Sequence, residues 1–155
     1  MLTIIGCGNP TRGDDGAGVA VARRLIDRFA ALPEPDVRVF DAGTAGMDVV
    51  FQARGSRALV IVDASASGSE PGAIFQVPGS ELESRQAPSF GLHDFRWDHA
   101  LYAGKRLFKD DFPADVTVYL IEKESLELGL GLSEAVESAV ERVVELIVER
   151  VRARA

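Results

Sequence analysis

The sequence predicts an α/β fold: a single three-layer sandwich in which about five mostly parallel strands carry helices on both faces. Three observations carry that prediction. Short apolar runs alternate with amphipathic stretches over the whole length. One of those runs, ALVIVDA (58–64), shows no polar alternation, as a strand buried on both faces of a parallel sheet does. The chain has 155 residues, of which 46% are hydrophobic and 26% charged, enough for one domain over 1–155 with its own core. Such a domain is expected to fold without an obligate partner.

The elements follow in order. LTII (2–5) reads as the first strand and ends at Gly6. From Asp15 to Phe29 the period becomes helical, with Val19, Ala22, Leu25, Ile26 and Phe29 on one stripe. Pro33 and Pro35 close that helix, and VRVF (37–40) is the second strand. A short helix covers Gly46 to Ala53, and ALVIVDA is the third strand. SASGSEPG (65–72) reads as a loop and AIFQV (73–77) as another strand. His93 to Phe108 reads as a helix, with Phe95, His99, Tyr102 and Arg106 along one face and Trp97 and Leu101 along another. VTVYLIE (116–122) is the last strand. Ser133 suits the N-cap of a final helix whose apolar stripe is Val136, Val140, Val143, Val144, Ile147 and Val151. Glu134, Glu137, Arg142, Glu145, Glu149 and Arg152 are expected to be its solvated face.

Charge and composition exclude several classes of function. Acidic residues outnumber basic ones by 24 to 17, a net charge of −7, which argues against nucleic acid and against an anionic membrane surface. No run approaches the ~20 apolar residues of a membrane helix. The run Leu2 to Ile5 is too short for a signal peptide. A lone cysteine, Cys7, forms no internal disulfide and fits a reducing compartment. The expected location is the cytoplasm.

Ligands of open α/β sheets bind beyond the carboxyl ends of the strands, so the turns after the first three strands matter most. The first, GCGNPTRGDDGAG (6–18), holds five glycines in thirteen positions. It opens as a dinucleotide fingerprint would, but Thr11 stands where the third glycine belongs. Asp14 and Asp15 would repel a phosphate, and the GK[ST] ending of a P-loop is missing. Either acid could equally serve the dipole of the helix that follows. After the second strand, DAGTAGMD (41–48) places Asp41 where a turn residue or a functional acid would stand. Asp63 ends the third strand. A carboxylate at the tip of a doubly buried strand is costly unless paired or bound to a metal.

The histidines are His93 and His99, both within GLHDFRWDHALYAG (91–104). Six positions apart on one helix, they point to nearly opposite sides and do not suit one metal. His93 follows a loop and could face the strand ends, whereas His99 lies mid-helix. Asp15, Asp63 and His93 together would offer two carboxylates and one imidazole to a hard or borderline divalent ion. A cysteine nucleophile lacks a nearby base in sequence, and no G-x-S-x-G elbow is present.

At these residues the chain resembles the hydrogenase maturation proteases, endopeptidases that trim the C-terminus of the large subunit of nickel–iron hydrogenases. The resemblance covers nearly the whole chain. It is strongest in GCGNPTRGDDGAG, DAGTAGMD, VDA (62–64) and ESLELGLGLSEAVESAV (124–140). It implies that Asp15, Asp63 and His93 bind nickel, and the preference for His93 over His99 leans on it. It further implies that the nickel comes with the large-subunit precursor and that the free enzyme holds none. Asp15, Asp41 and Asp63 are then the candidate catalytic carboxylates. Two other readings fit the same acids: a non-catalytic chaperone binding metal or precursor, and a small-molecule hydrolase on a similar sheet.

Overall fold

A computed structural model describes residues 1–82, 97–124 and 131–154. His93, Phe95 and the proposed start of their helix lie outside the described residues, as does the 125–130 part of ESLELGLGL. The elements run β1 (Leu2–Cys7), α1 (Ala17–Ala31), β2 (Val37–Gly43), α2 (Gly46–Ala53), β3 (Ala58–Ser65), β4 (Ile74–Pro78), a single turn α3 (Gly79–Leu82), α4 (Trp97–Phe108), β5 (Asp115–Glu122) and α5 (Glu134–Arg154). All five sequence-read strands form, in the order β2-β1-β3-β5-β4. β1, β2, β3 and β5 are parallel, and β4 joins the β5 edge antiparallel.

Every side chain of β1 is buried, as are those of β3 up to Ala64, because helices cover both faces of these central strands. On one face Ile4, Val60, Val62 and Ile121 pack with Val21 and Leu25 of α1 and with Val140, Val143 and Ile147 of α5. On the other, Ile5, Leu59, Ile61 and Val118 pack with Val49 and Val50 of α2 and with Trp97 and Leu101 of α4. Each such aliphatic side chain contributes about 1.5–3 kcal/mol by leaving water. The apolar stripe read for the last helix is the buried one.

Two expectations needed correction. The first helix does not begin at Asp15: residues Gly13–Gly16 form a 3-10 turn, and α1 starts at Ala17. Gly16, at φ −85° and ψ 5°, lies outside the α-helical region and separates the 3-10 turn from α1. A Cβ on Gly18 would stand 2.3 Å from the carbonyl oxygens of both Cys7 and Val62, so α1 meets the sheet backbone to backbone. The charged surface of α5 is also not merely solvated. Glu137 and Glu145 pair with Arg24 and Arg28 of α1, and Arg150 and Arg154 pair with Asp115. Among the described residues no helix is long and apolar enough to cross a membrane.

Candidate functional site

The carboxyl ends of the four parallel strands open on one cavity of about 640 Å³. Cys7 and Gly8 reach it from β1, Gly43 and Thr44 from β2, Asp63 to Ser67 from β3, and Leu120 and Lys123 from β5. Trp97 and Asp98 of α4 and Asp15 of the 3-10 turn complete its polar wall. Asp15 and Asp63, 48 positions apart in sequence, therefore line the same space, as strand-end geometry predicts.

Asp63 is 9% exposed and held at both oxygens. The indole Nε1–H of Trp97 donates to Oδ2 at 2.7 Å, and the Ala64 N–H donates to Oδ1 at 2.8 Å. A carboxylate oxygen accepts more than one partner, so these bonds orient the group without closing it to an ion. Asp15 accepts the Asn9 N–H at Oδ2 (3.2 Å) and faces the Lys123 ammonium at Oδ1 (3.3 Å). Gly8 lies between the two acids. It has φ +134°, and a Cβ there would stand 2.0 Å from the Asp15 carbonyl oxygen and 3.5 Å from Asp63 Oδ1. Any other residue would collide with the Asp15 backbone and crowd the Asp63 carboxylate, in a backbone conformation that side chains disfavour.

The two consecutive acids of the DDG turn have separate roles. Asp14 is 1% exposed and lies outside the cavity lining. It accepts the Ser133 N–H (2.7 Å), the Ser133 hydroxyl (2.8 Å) and the Glu124 N–H (2.9 Å). Ser133 does precede α5, but its hydroxyl serves Asp14. Asp41 is exposed and outside the cavity lining. It accepts the Gly43 N–H at 3.0 Å, closing a turn on itself, and pairs with Arg23 at 3.1 Å. Its turn presents Gly43 and Thr44 to the cavity. His99 is half-buried in α4 and also outside the lining. His93 falls outside the described residues.

Sequence reading missed three residues of this site. Trp97 is the one tryptophan of the chain, placed beside the histidines. Lys123 follows the fourth parallel strand, where the strand-end rule applies as well as after the first three. Glu122 is buried opposite Ser65 and accepts the N–H groups of Ser67, Gly68 and Ser69 and the hydroxyls of Ser65 and Ser67. It thereby shapes the loop that forms one cavity wall. Burial pushes its carboxyl up, but the donors from Ser65, Ser67 and Gly68 outweigh that and hold it below the ordinary 4.5.

Among the described residues no three His, Cys, Asp or Glu side chains are grouped to hold a metal. The carboxylates of Asp15 and Asp63, lining one cavity, offer hard oxygen donors that suit part of the coordination shell of a borderline divalent ion such as nickel. Further ligands would have to come from outside this pair.

Comparison with known proteins agrees with this architecture. The Hydrogenase 2 maturation protease of Escherichia coli K12 is 29% identical over 138 residues, covering 88% of this chain and 82% of its own. The structure of the hydrogenase maturating endopeptidase HybD from E. coli superposes with a TM-score of 0.81 at 25% identity, covering 99% of this chain and 93% of that one. A hydrogenase 2 maturation peptidase from a thaumarchaeon superposes with a TM-score of 0.67 at 27% identity, covering 97% of both chains. The sequence profile of the hydrogenase maturation proteases (HycI) matches residues 19–150, and on that match, together with the shared fold, the chain belongs to the hydrogenase maturation protease family of peptidases.

Proposed function

We propose that this chain removes the C-terminal extension of a nickel–iron hydrogenase large-subunit precursor, recognising the nickel that the precursor carries. The observation that carries the reading is the convergence of Asp15 and Asp63 on one cavity. Nickel arrives as part of the substrate. Asp15 and Asp63 offer it carboxylate oxygens, and His93 supplies an imidazole nitrogen. His93 is four positions before Trp97, a span of at most about 14 Å, and Trp97 is bonded to Asp63.

The residues around the acids prepare them for docking. Trp97 and Ala64 fix the Asp63 carboxylate plane before any ion arrives, so little ordering entropy is lost when it does. A carboxylate in the cavity then takes the proton of the water that attacks the scissile carbonyl. We assign this transfer to Asp15 or Asp63, and support for that comes from both lining the cavity. Asp41 acts through its turn, which sets Gly43 and Thr44 against the docked segment. A single cysteine, in no disulfide, supports the cytoplasm as the place of action.

The test is mass spectrometry of nickel-loaded precursor incubated with purified protein. Wild type should release one C-terminal peptide. Asp15→Asn keeps size and hydrogen bonding but loses the charge, and should leave the precursor intact while the protein stays folded. Cleavage by Asp15→Asn at the wild-type rate would refute the assignment. Precursor bound by wild type yet never cut would favour the chaperone reading.

A further inference from the structure

Lys123 has no part in the reading above, yet it is built into the cavity. It follows β5, and its backbone N–H donates to the Ser65 carbonyl at 2.9 Å. Its side chain is only 15% exposed and reaches across to Asp15 Oδ1 at 3.3 Å. Three acids line this cavity, Asp15, Asp63 and Asp98, and Lys123 is the one cation among its described lining residues. An ammonium drawn out of water in this way loses hydration and rotamer freedom, so it must be held by the field of the acids. It is held beside the very carboxylate that an incoming metal needs.

We propose that Lys123 is a resident counter-ion that makes the cavity refuse free divalent cations; the inference rests on Asp15 and Asp63 being ligands to substrate-borne nickel. A divalent ion at Asp15 meets the Lys123 ammonium a few ångströms away, and like charges at that separation repel strongly in a partly dry site. Binding therefore requires Lys123 to leave Asp15. A free aqua ion brings only its own coordination energy to that exchange. Nickel carried on the precursor brings the docking surface of a whole protein as well, which drives the exchange. Lysine suits this role because its charge sits on a flexible stem and binds as a point, without the two-pronged grip of arginine on a carboxylate. The residue thus sets specificity, separating loaded precursor from loose metal, and takes no proton or bond in the cleavage.

The experiment is calorimetric titration of nickel chloride alone into the purified full chain, with circular dichroism as the folding control. Lys123→Met, which keeps the stem and removes the charge, should bind nickel at least about tenfold more tightly than wild type, equivalent to about 1.4 kcal/mol. Lys123→Arg keeps the charge and should bind no more tightly than wild type. Adding Asp15→Asn or Asp63→Asn to Lys123→Met should remove the gain. No tightening in Lys123→Met, or equal tightening in Lys123→Arg, overturns the inference. Two failures are distinguishable. If nickel binding depends on Asp15 and Asp63 but not on Lys123, only the counter-ion falls. If the gain survives both aspartate substitutions, the metal reading of the acids falls with it. A functional readout follows from the same exchange: free nickel should inhibit precursor cleavage by Lys123→Met at about tenfold lower concentration than in wild type.

Discussion

Replacing Asp14 with asparagine should damage the fold and not the chemistry, although its neighbour Asp15 gives the opposite outcome. Asp14, 1% exposed, accepts Glu124 N–H and Ser133 O–H at one oxygen and Ser133 N–H at the other, three bonds from described residues. An asparagine has one carbonyl oxygen. Placed to keep the first two donors, it turns its NH₂ on the Ser133 N–H, so one charge-assisted bond becomes two donors facing each other. Losing such a bond in a buried place costs about 1.5–3 kcal/mol. The two surviving bonds lose their ionic acceptor and weaken by roughly half. The sum is about 3–6 kcal/mol. For a chain of this size that corresponds to a fall in Tm of about 6–24 °C. Differential scanning calorimetry of wild type, Asp14→Asn and Asp15→Asn measures it, with precursor cleavage assayed well below each Tm. Asp14→Asn should be unstable and active, Asp15→Asn stable and inactive. A Tm for Asp14→Asn within about 1 °C of wild type would refute the assignment of the two acids.

Three further outcomes are expected. Trp97→Phe removes the indole donor from a nearly buried carboxylate, and should lower the cleavage rate at least about tenfold while stability falls by about 1–3 kcal/mol; an unchanged rate in single-turnover cleavage contradicts the role given to Trp97. Glu122 is held below its ordinary 4.5 in the folded chain, so its stabilisation is present above that pH and is lost as pH falls through the folded value. Urea midpoints of wild type and Glu122→Gln should accordingly differ at pH 7 and converge as pH falls below 4.5 and through the folded value, and a constant gap would count against it. His93→Ala should abolish nickel-dependent cleavage in a folded protein, whereas His99→Ala should cost at most about 1 kcal/mol and keep cleavage; the reverse result would exchange the two histidines.

Much of this protein is readable from its residues because the sheet is buried on both faces. An unbroken apolar run such as ALVIVDA marks a central strand, and the carboxyl-end rule then brings Asp15 and Asp63 to one edge. What could not be read depends on single backbone turns. Asp14 and Asp15 are identical in chemistry and adjacent in sequence. The 3-10 geometry of Gly13–Gly16 sends one into the interior and the other to the cavity. Lys123 was legible in principle, since it follows a parallel strand, but a lysine after a strand is ordinarily a solvated end. Its inward course depends on Asp15, which is contributed from over a hundred residues away. The pairing of α5 glutamates with α1 arginines was hidden for the same reason: sequence gives the face of a helix, not its neighbour.

The ties of Asp14 have a consequence for how this protein is assembled. β1 reaches its partner β3 only across some fifty residues, as in the pairing of Leu2 with Ala58. The turn carrying Asp15 is then anchored to Glu124 and Ser133, 110 and 119 positions further on. Contacts of such separation form late, because the long loops they close lose much entropy before any packing compensates. A chain still emerging from the ribosome, with Ser133 not yet made, has both acids and the local bonds of their turn but lacks the two bonds that Ser133 gives Asp14. The turn beside the cavity therefore gains its full set of described ties only once the segment carrying Glu124 and Ser133 has joined it, which links the order of synthesis to the firmness of that wall.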